Sequence, residues 1–136
     1  MHQTLSTEQF NHIDLHSNYL PRGFSSVGSN YGVYLTAPTI PSTIMVGNTG
    51  TIGTETLYTN STKTVGNGTS VVSYVVEADT ATTAIINLID RSYNAGGTLI
   101  ATEQDRYRID AAGNLTPVSA DIQYSYTSTT HLVFAF

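Results

Sequence analysis

Polar and apolar side chains alternate through most of residues 51–136, as in Val118-Ser119-Ala120-Asp121-Ile122-Gln123-Tyr124-Ser125-Tyr126, and the run closes on His131-Leu132-Val133-Phe134-Ala135-Phe136. A period of two means extended strands with one face toward a core. Turn residues interrupt the alternation at Gly66-Asn67-Gly68, Asp79-Thr80-Ala81, Asn94-Ala95-Gly96-Gly97 and Asp110-Ala111-Ala112-Gly113-Asn114. The extended runs between them predict strands over 51–59, 69–78, 83–93, 98–109, 115–126 and 130–136. Connections this short join antiparallel neighbours, so the pattern predicts an all-β, up-and-down meander of about six strands. A curved sheet or a small sandwich or half-barrel is expected over a single domain, 1–136.

The first fifty residues read differently. Ser6 and Gln9 have capping-box spacing, and Phe10 and Ile13 fall at helical spacing, which predicts a short helix over about Thr7–Asn18. Pro21, Gly23 and Ser25-Ser26 end it, and Tyr31–Thr36 reads as a first strand. Pro38 and Pro41 make the next stretch irregular. Residues Leu5 to Leu35, with Phe10, Ile13, Leu20, Phe24, Val27 and Tyr31, are expected to cover the apolar face of the meander.

Parity across tight turns predicts which residues share that face. A two-residue loop at Thr80-Ala81 aligns Tyr74 and Val76 with Ile85, Asn87 and Ile89. Continuing through the later turns collects Val72, Tyr74, Val76, Ile85, Ile89, Tyr93, Ile100, Val118, Ile122 and Tyr124 on one side. Ser73, Glu77, Asp90, Glu103, Asp105, Ser119, Asp121, Gln123 and Ser125 fall on the other. A three-residue loop, Thr127-Ser128-Thr129, puts Leu132, Phe134 and Phe136 on the apolar side. Exposing them instead would cost roughly 1.5–3 kcal/mol per side chain.

Composition narrows the function classes. Charged residues make up 11% of the chain, against roughly a quarter in typical soluble domains. Thr supplies much of the polarity, with 22 residues, while Lys63 is the lone lysine and the net charge is −5. Nucleic-acid binding needs clustered Lys and Arg, and anionic membrane surfaces need the same, so neither partner is expected. The absence of cysteine removes thiol nucleophiles, thiolate metal sites and disulfides together. Hydroxyl-rich, lysine-poor composition points to an extracellular or cell-envelope protein. No signal peptide is read at Met1-His2-Gln3, so export would make this chain a mature form. Sequons stand at Asn60, Asn67 and Asn114.

Candidate chemistry is sparse. His12-Ile13-Asp14-Leu15-His16 has metal-ligand spacing, with His131 a distant third ligand, but it lacks the glutamate of the zinc motif. It is read as a solvated segment, and no metal or cofactor is assigned. Glu103-Gln104-Asp105-Arg106-Tyr107-Arg108 is the densest charge cluster, with Glu103 expected opposite Asp121 as a carboxylate pair suited to acid–base work or calcium. Arg106 and Arg108 point to the other face. It is read as cross-strand pairing at a strand end. No GxSxG elbow or P-loop occurs, and Gly47-Asn48-Thr49-Gly50 leads into a strand. Tyr58, Tyr74, Tyr93, Tyr107, Tyr124 and Tyr126 are candidates to line a ligand groove, or to serve as sheet residues at a core rim.

The last strand resembles the assembly signal of outer-membrane β-barrel proteins, with Leu132, Phe134 and Phe136 at alternate positions. That resemblance covers 130–136 alone and implies a closed barrel of about eight lipid-facing strands, more than the pattern supplies. The sequence therefore predicts a non-catalytic extracytoplasmic structural or interaction module that works through protein contacts. The alternative is a carrier holding an apolar ligand in a curved sheet. A metal-dependent or carboxylate-based enzyme ranks third. The strand 130–136 carries no Pro or Gly and is the expected edge for a protein partner or a second copy.

Overall fold

The computed structural model describes residues 13–14, 20–21, 23–26, 30–125 and 130–136. Two short strands, β1 (Ile13–Asp14) and β2 (Leu20–Pro21), pair with each other. Eight more strands form a single antiparallel sheet: β3 (Gly23–Ser26), β4 (Asn30–Tyr34), β5 (Thr49–Tyr58), β6 (Gly66–Ala78), β7 (Thr83–Tyr93), β8 (Leu99–Asp110), β9 (Leu115–Tyr124) and β10 (His131–Ala135). Each strand is bonded to its neighbours in sequence, so the sheet is an open meander with β3 and β10 at its edges. The expected fold class holds, as one open sheet rather than a sandwich. Most of the expected helix 7–18 lies outside the described residues, but Ile13–Asp14 within it is extended. The covering role assigned to Leu5, Phe10 and Val27 also lies outside them.

The strand boundaries follow the alternation closely, with one turn misplaced. Gly66-Asn67-Gly68 is part of β6, not a turn. The chain reverses earlier, where the Thr59 amide donates to the Val65 carbonyl at 3.1 Å and Asn60 Oδ1 accepts the Thr62 amide at 3.0 Å. The glycine at 68 is needed for a different reason. Its φ is +126°, and a Cβ there would sit 1.9 Å from the Tyr93 carbonyl oxygen. Asn67 is the extra residue of a bulge, and Gly68 lets the neighbouring backbone of β7 close over it.

The facing differs from the expectation at two places. Ala78 pairs with Ala84, so five residues, not two, separate the paired ends of β6 and β7. That one-residue slip turns β7 over. Val72, Tyr74 and Val76 therefore face the same way as Asp90, Leu88 and Ile86, while Ile85, Asn87 and Ile89 lie on the opposite side. The parity expected between β7 and β8 holds, so β8 turns over with it. The five-residue loop 110–114 is also as expected, since Tyr107 pairs with Pro117 and Ile109 with Leu115. A register shift between Arg106 and Tyr107 then leaves Val118 as the bulged residue and restores Ile122 to the side of Val76. Two reversals cancel. Leu132 pairs with Ile122 and Phe134 with Ala120, which is the expected facing for the last strand.

The outcome is a sheet with two unlike faces. Tyr34, Glu55, Leu57, Ser70, Val72, Tyr74, Val76, Ile86, Leu88, Asp90, Glu103, Asp105, Tyr107, Ala120 and Ile122 share one, here the carboxyl face. Glu77, Ile85, Asn87, Ile89, Arg91, Gln104, Arg106, Arg108 and Asp121 share the other, the arginine face. The best-buried apolar residues are Val76 at 2% exposure, Leu57, Ala120 and, across the sheet, Ile85. Both faces thus carry core contacts through the middle of β5–β9.

Candidate functional site

Alternation places four acids on the carboxyl face: Glu55 of β5, Asp90 of β7, and Glu103 and Asp105 of β8. Asp90 and Glu103 are directly paired across β7 and β8, an arrangement of like groups that is unfavourable when both are ionised. Glu103 is therefore not opposite Asp121, which pairs instead with Gln104 on the other face. Glu55 pairs with Ser70, whose hydroxyl donates to Asp90 Oδ1. Tyr34 pairs with Glu55 and hydrogen-bonds its carboxyl. The result is a lateral row, Tyr34, Glu55, Ser70, Asp90, running across four strands, with Glu103 and Asp105 continuing it.

Burial controls the protonation of this row. Glu55 is 4% exposed and Ser70 1%. Desolvation pushes the Glu55 carboxyl up to about 7, with repulsion from Asp90 adding to it and the Tyr34 hydrogen bond opposing it. Desolvation also raises Asp90, against the hydroxyls of Ser70 and Ser92, which favour its charged form. Asp105 is raised by burial and by Asp90, and a hydrogen bond to Glu103 partly offsets this. Tyr34 and Tyr107 are raised by the same desolvation. Among the described residues no basic side chain stands on this face to reverse these shifts.

The arginine face treats its acids in the opposite way. Arg106 Nε lies 3.3 Å from Glu77 Oε2. Arg108 Nε lies 2.6 Å from Asp79 Oδ2, and Thr83 Oγ1 donates to that same oxygen at 2.6 Å. The Arg108 hydrogen bond, with the Thr83 hydroxyl, lowers Asp79 below the usual carboxylate range. Asn87, 3% exposed, donates from Nδ2 to Glu77 Oε1 and Gln104 Oε1, both at 3.0 Å. Its Oδ1 is buried without a partner. The expected cluster at Glu103–Arg108 is thus divided between two faces, with its acids on one and its arginines on the other.

The remaining candidates disperse. His131 Nε2 contacts Asp121 Oδ1 at 2.7 Å on the arginine face. His12 and His16 lie outside the described residues. Among the described residues no group of three or more acids or histidines is arranged to hold a metal ion. The tyrosines do not line one groove. Tyr74, Tyr107 and Tyr124 are on the carboxyl face, Tyr58 and Tyr93 on the other, and Tyr126 lies outside the described residues.

A carboxyl that titrates near neutrality meets one condition for acid–base catalysis. A group 4% exposed does not meet the second, access to a substrate atom. Glu55 does not stand out in the sequence, because an isolated acid in a strand looks like a surface residue, and Tyr34 looks like an ordinary strand former. The signal was present in Gly53-Thr54-Glu55-Thr56-Leu57, where Glu55 alternates with Gly53 and Leu57 rather than with the threonines.

A second surface feature is the outer edge of β10. This strand pairs with β9 on one side, and no described strand pairs with it on the other. Leu132, Val133, Phe134 and Phe136 are all exposed, Phe134 by 40%. Comparisons with protein-family models, with curated proteins and with solved structures found no match.

Proposed function

We propose that this domain is a non-catalytic extracytoplasmic module of structural or interaction type, working through protein contacts at β10. The observation that carries this reading is the unprotected edge. Natural edge strands are usually blunted by charge, proline or bulges, and His131–Ala135 has none of these beyond the ring of His131, itself engaged by Asp121. The low charge and hydroxyl-rich composition support a location outside the cytoplasm.

The strand is also suited to pairing with its own copy. In an antiparallel two-fold arrangement centred on Val133, Leu132 of one copy faces Phe134 of the other, and the reverse holds by symmetry. The apolar positions of the carboxyl face would then continue across the junction through strand addition. Sedimentation of the full chain from low to high micromolar concentration tests this. Dimers or longer assemblies are expected, and Val133→Lys should abolish them by placing a charge at the two-fold centre. A wild-type chain that stays monomeric at high micromolar concentration, with the β10 amides protected from exchange, would overturn the reading.

A further inference from the structure

The row of acids, with Glu55 buried and Asp90, Glu103 and Asp105 half-buried, has no part in that edge contact. Four carboxyl groups, from Glu55, Asp90, Glu103 and Asp105, share a face on which the described residues supply no arginine, lysine or histidine. The groups around them are hydroxyls: Tyr34 from β4, Ser70 and Tyr74 from β6, Ser92 from β7, Tyr107 from β8 and Tyr124 from β9. Such a row packs well when its acids hold protons and badly when they do not. Ionising Glu55 puts a charge in a desolvated site, within reach of the charge on Asp90.

Tyr34 of β4 lies against that carboxyl, so moving β4 away opens it to water, and the strand pairings differ in how much they resist such a movement. β6 and β7 remain paired without interruption from Thr69 and Tyr93 to Ala78 and Ala84. β4 is paired with β5 only over Tyr31–Tyr34. The side-chain anchor of this short pairing is Tyr34, whose ring lies over Gly53 and whose hydroxyl reaches Glu55. A Cβ at residue 53 would come within 2.8 Å of Tyr34 Cε1. The weak pairing and the ionisable group thus meet at the same place.

We propose that Tyr34, Glu55, Ser70 and Asp90 form a proton-operated latch, which holds β4 on β5 when its acids are neutral and releases it when they ionise. Release would exchange the edge formed by β3 for the longer hydrogen-bonding edge of β5, a pH-gated edge on the side away from β10. This does not depend on the role proposed for β10, and its test is separate.

The sign follows from linkage. Glu55 binds its proton more tightly folded than unfolded, so its contribution is fully present below its unfolded value, about 4.5. It is lost as pH rises through the folded value of about 7. Asp90 and Asp105 shift in the same direction and add to the effect. For Glu55 alone, a fall on the order of a hundredfold between pH 5 and pH 8 is the upper limit for closing the latch, reached where release returns the carboxyl fully to water. The Tyr34 hydrogen bond, which favours the charged form, works against it.

Carboxyl-carbon NMR of the wild-type chain reads the proton, and amide exchange at Tyr31–Tyr34, corrected for intrinsic rates, reads the latch. A Glu55 midpoint near 7 is expected, with a corresponding loss of β4 protection from pH 5 to pH 8 while Val76 and Ile86 stay protected. Glu55→Gln should remove the larger part of the pH dependence, leaving the share of Asp90 and Asp105, and Tyr34→Phe should move the Glu55 midpoint upward. A Glu55 midpoint below 5 would overturn the proposal. So would β4 protection that does not change with pH, or an equal loss in β4 and at Val76. Because the first two readouts need no substitution, a variant that fails to fold leaves the test intact.

Discussion

The two faces of this sheet hold the same kinds of acidic side chain and treat them in opposite ways. On the arginine face, Asp79 and Glu77 lie against Arg108 and Arg106, and Asp79 is held below the ordinary carboxylate range. On the carboxyl face, Glu55, Asp90 and Asp105 lie among hydroxyls and apolar side chains, and all three are raised. Strand parity alone separates the two outcomes. Arg106 and Asp105 are adjacent in sequence, yet they lie on opposite sides of the backbone. A charged cluster read along the chain is therefore no guide to which charges meet across strands.

The largest test of this contrast is an added charge at the best-buried apolar site. Val76→Asp introduces an unpaired carboxylate at a position 2% exposed. The cost is several kcal/mol, a large share of a typical domain stability of about 5–15 kcal/mol, and loss of cooperative unfolding by circular dichroism is expected. Gln123→Asp, half-buried on the arginine face, should cost far less, about 1 kcal/mol, since it gives up only two long hydrogen bonds from Nε2 to the Tyr124 and Thr130 carbonyls. Equal melting temperatures for the two variants would mean that the faces are wrongly assigned.

A backbone change comes next. Gly68→Ala places a methyl group against the Tyr93 carbonyl at a positive φ. A loss of about 2–4 kcal/mol in urea denaturation is expected, because the backbone of β6 or β7 must move. Gly66→Ala, two residues away, meets no atom within 4 Å. It should cost far less, and similar losses for the two would remove the close-approach explanation.

The smaller effects concern the ion pairs. Removing the Arg106–Glu77 contact with Arg106→Gln should cost less than about 1 kcal/mol, since both side chains are about a third exposed. Asp79→Asn should change stability chiefly as a function of pH. Its folded value is lowered, so its contribution is present above the unfolded value and lost as pH falls through the folded one. The melting temperature of Asp79→Asn should lie below wild type at neutral pH and converge with it in strong acid. Convergence on the alkaline side instead would show that the two faces do not differ in sign.

Most of the architecture was legible in the chain. Alternation located the principal strands and the short connections required antiparallel neighbours. The five-residue turn at Asp110–Asn114 was placed correctly, with Asp110 Oδ1 accepting the amides of Ala112 and Asn114 at 2.9 Å. The facing of β7 was not legible, and the reason is local. Ile85, Ile89 and Asn87 occupy one parity and Ile86, Leu88 and Asp90 the other, so both sides of this strand are about equally apolar. When the pattern does not favour a face, register rests on the turn, and Asp79–Thr83 does not form the two-residue turn that its sequence suggests. The candidate site follows that strand: a two-residue turn puts Asp90, Glu103 and Asp105 on the solvated face, and the observed slip turns β7 and β8 over together.

What the sequence determined by itself is the set of strands β4–β10, their order and the amphipathic character of β10, because these depend on local propensity, spacing and chain connectivity. What tertiary structure decided is which side chains meet. The slip between β6 and β7 and the bulge at Val118 are one-residue events, too small to leave a mark on composition or periodicity. In a sheet whose side chains alternate at every residue, each of them reverses the surroundings of a whole strand. That is how one run of residues, Glu103–Arg108, came to place its acids in a half-buried row and its arginines in ion pairs on the opposite face.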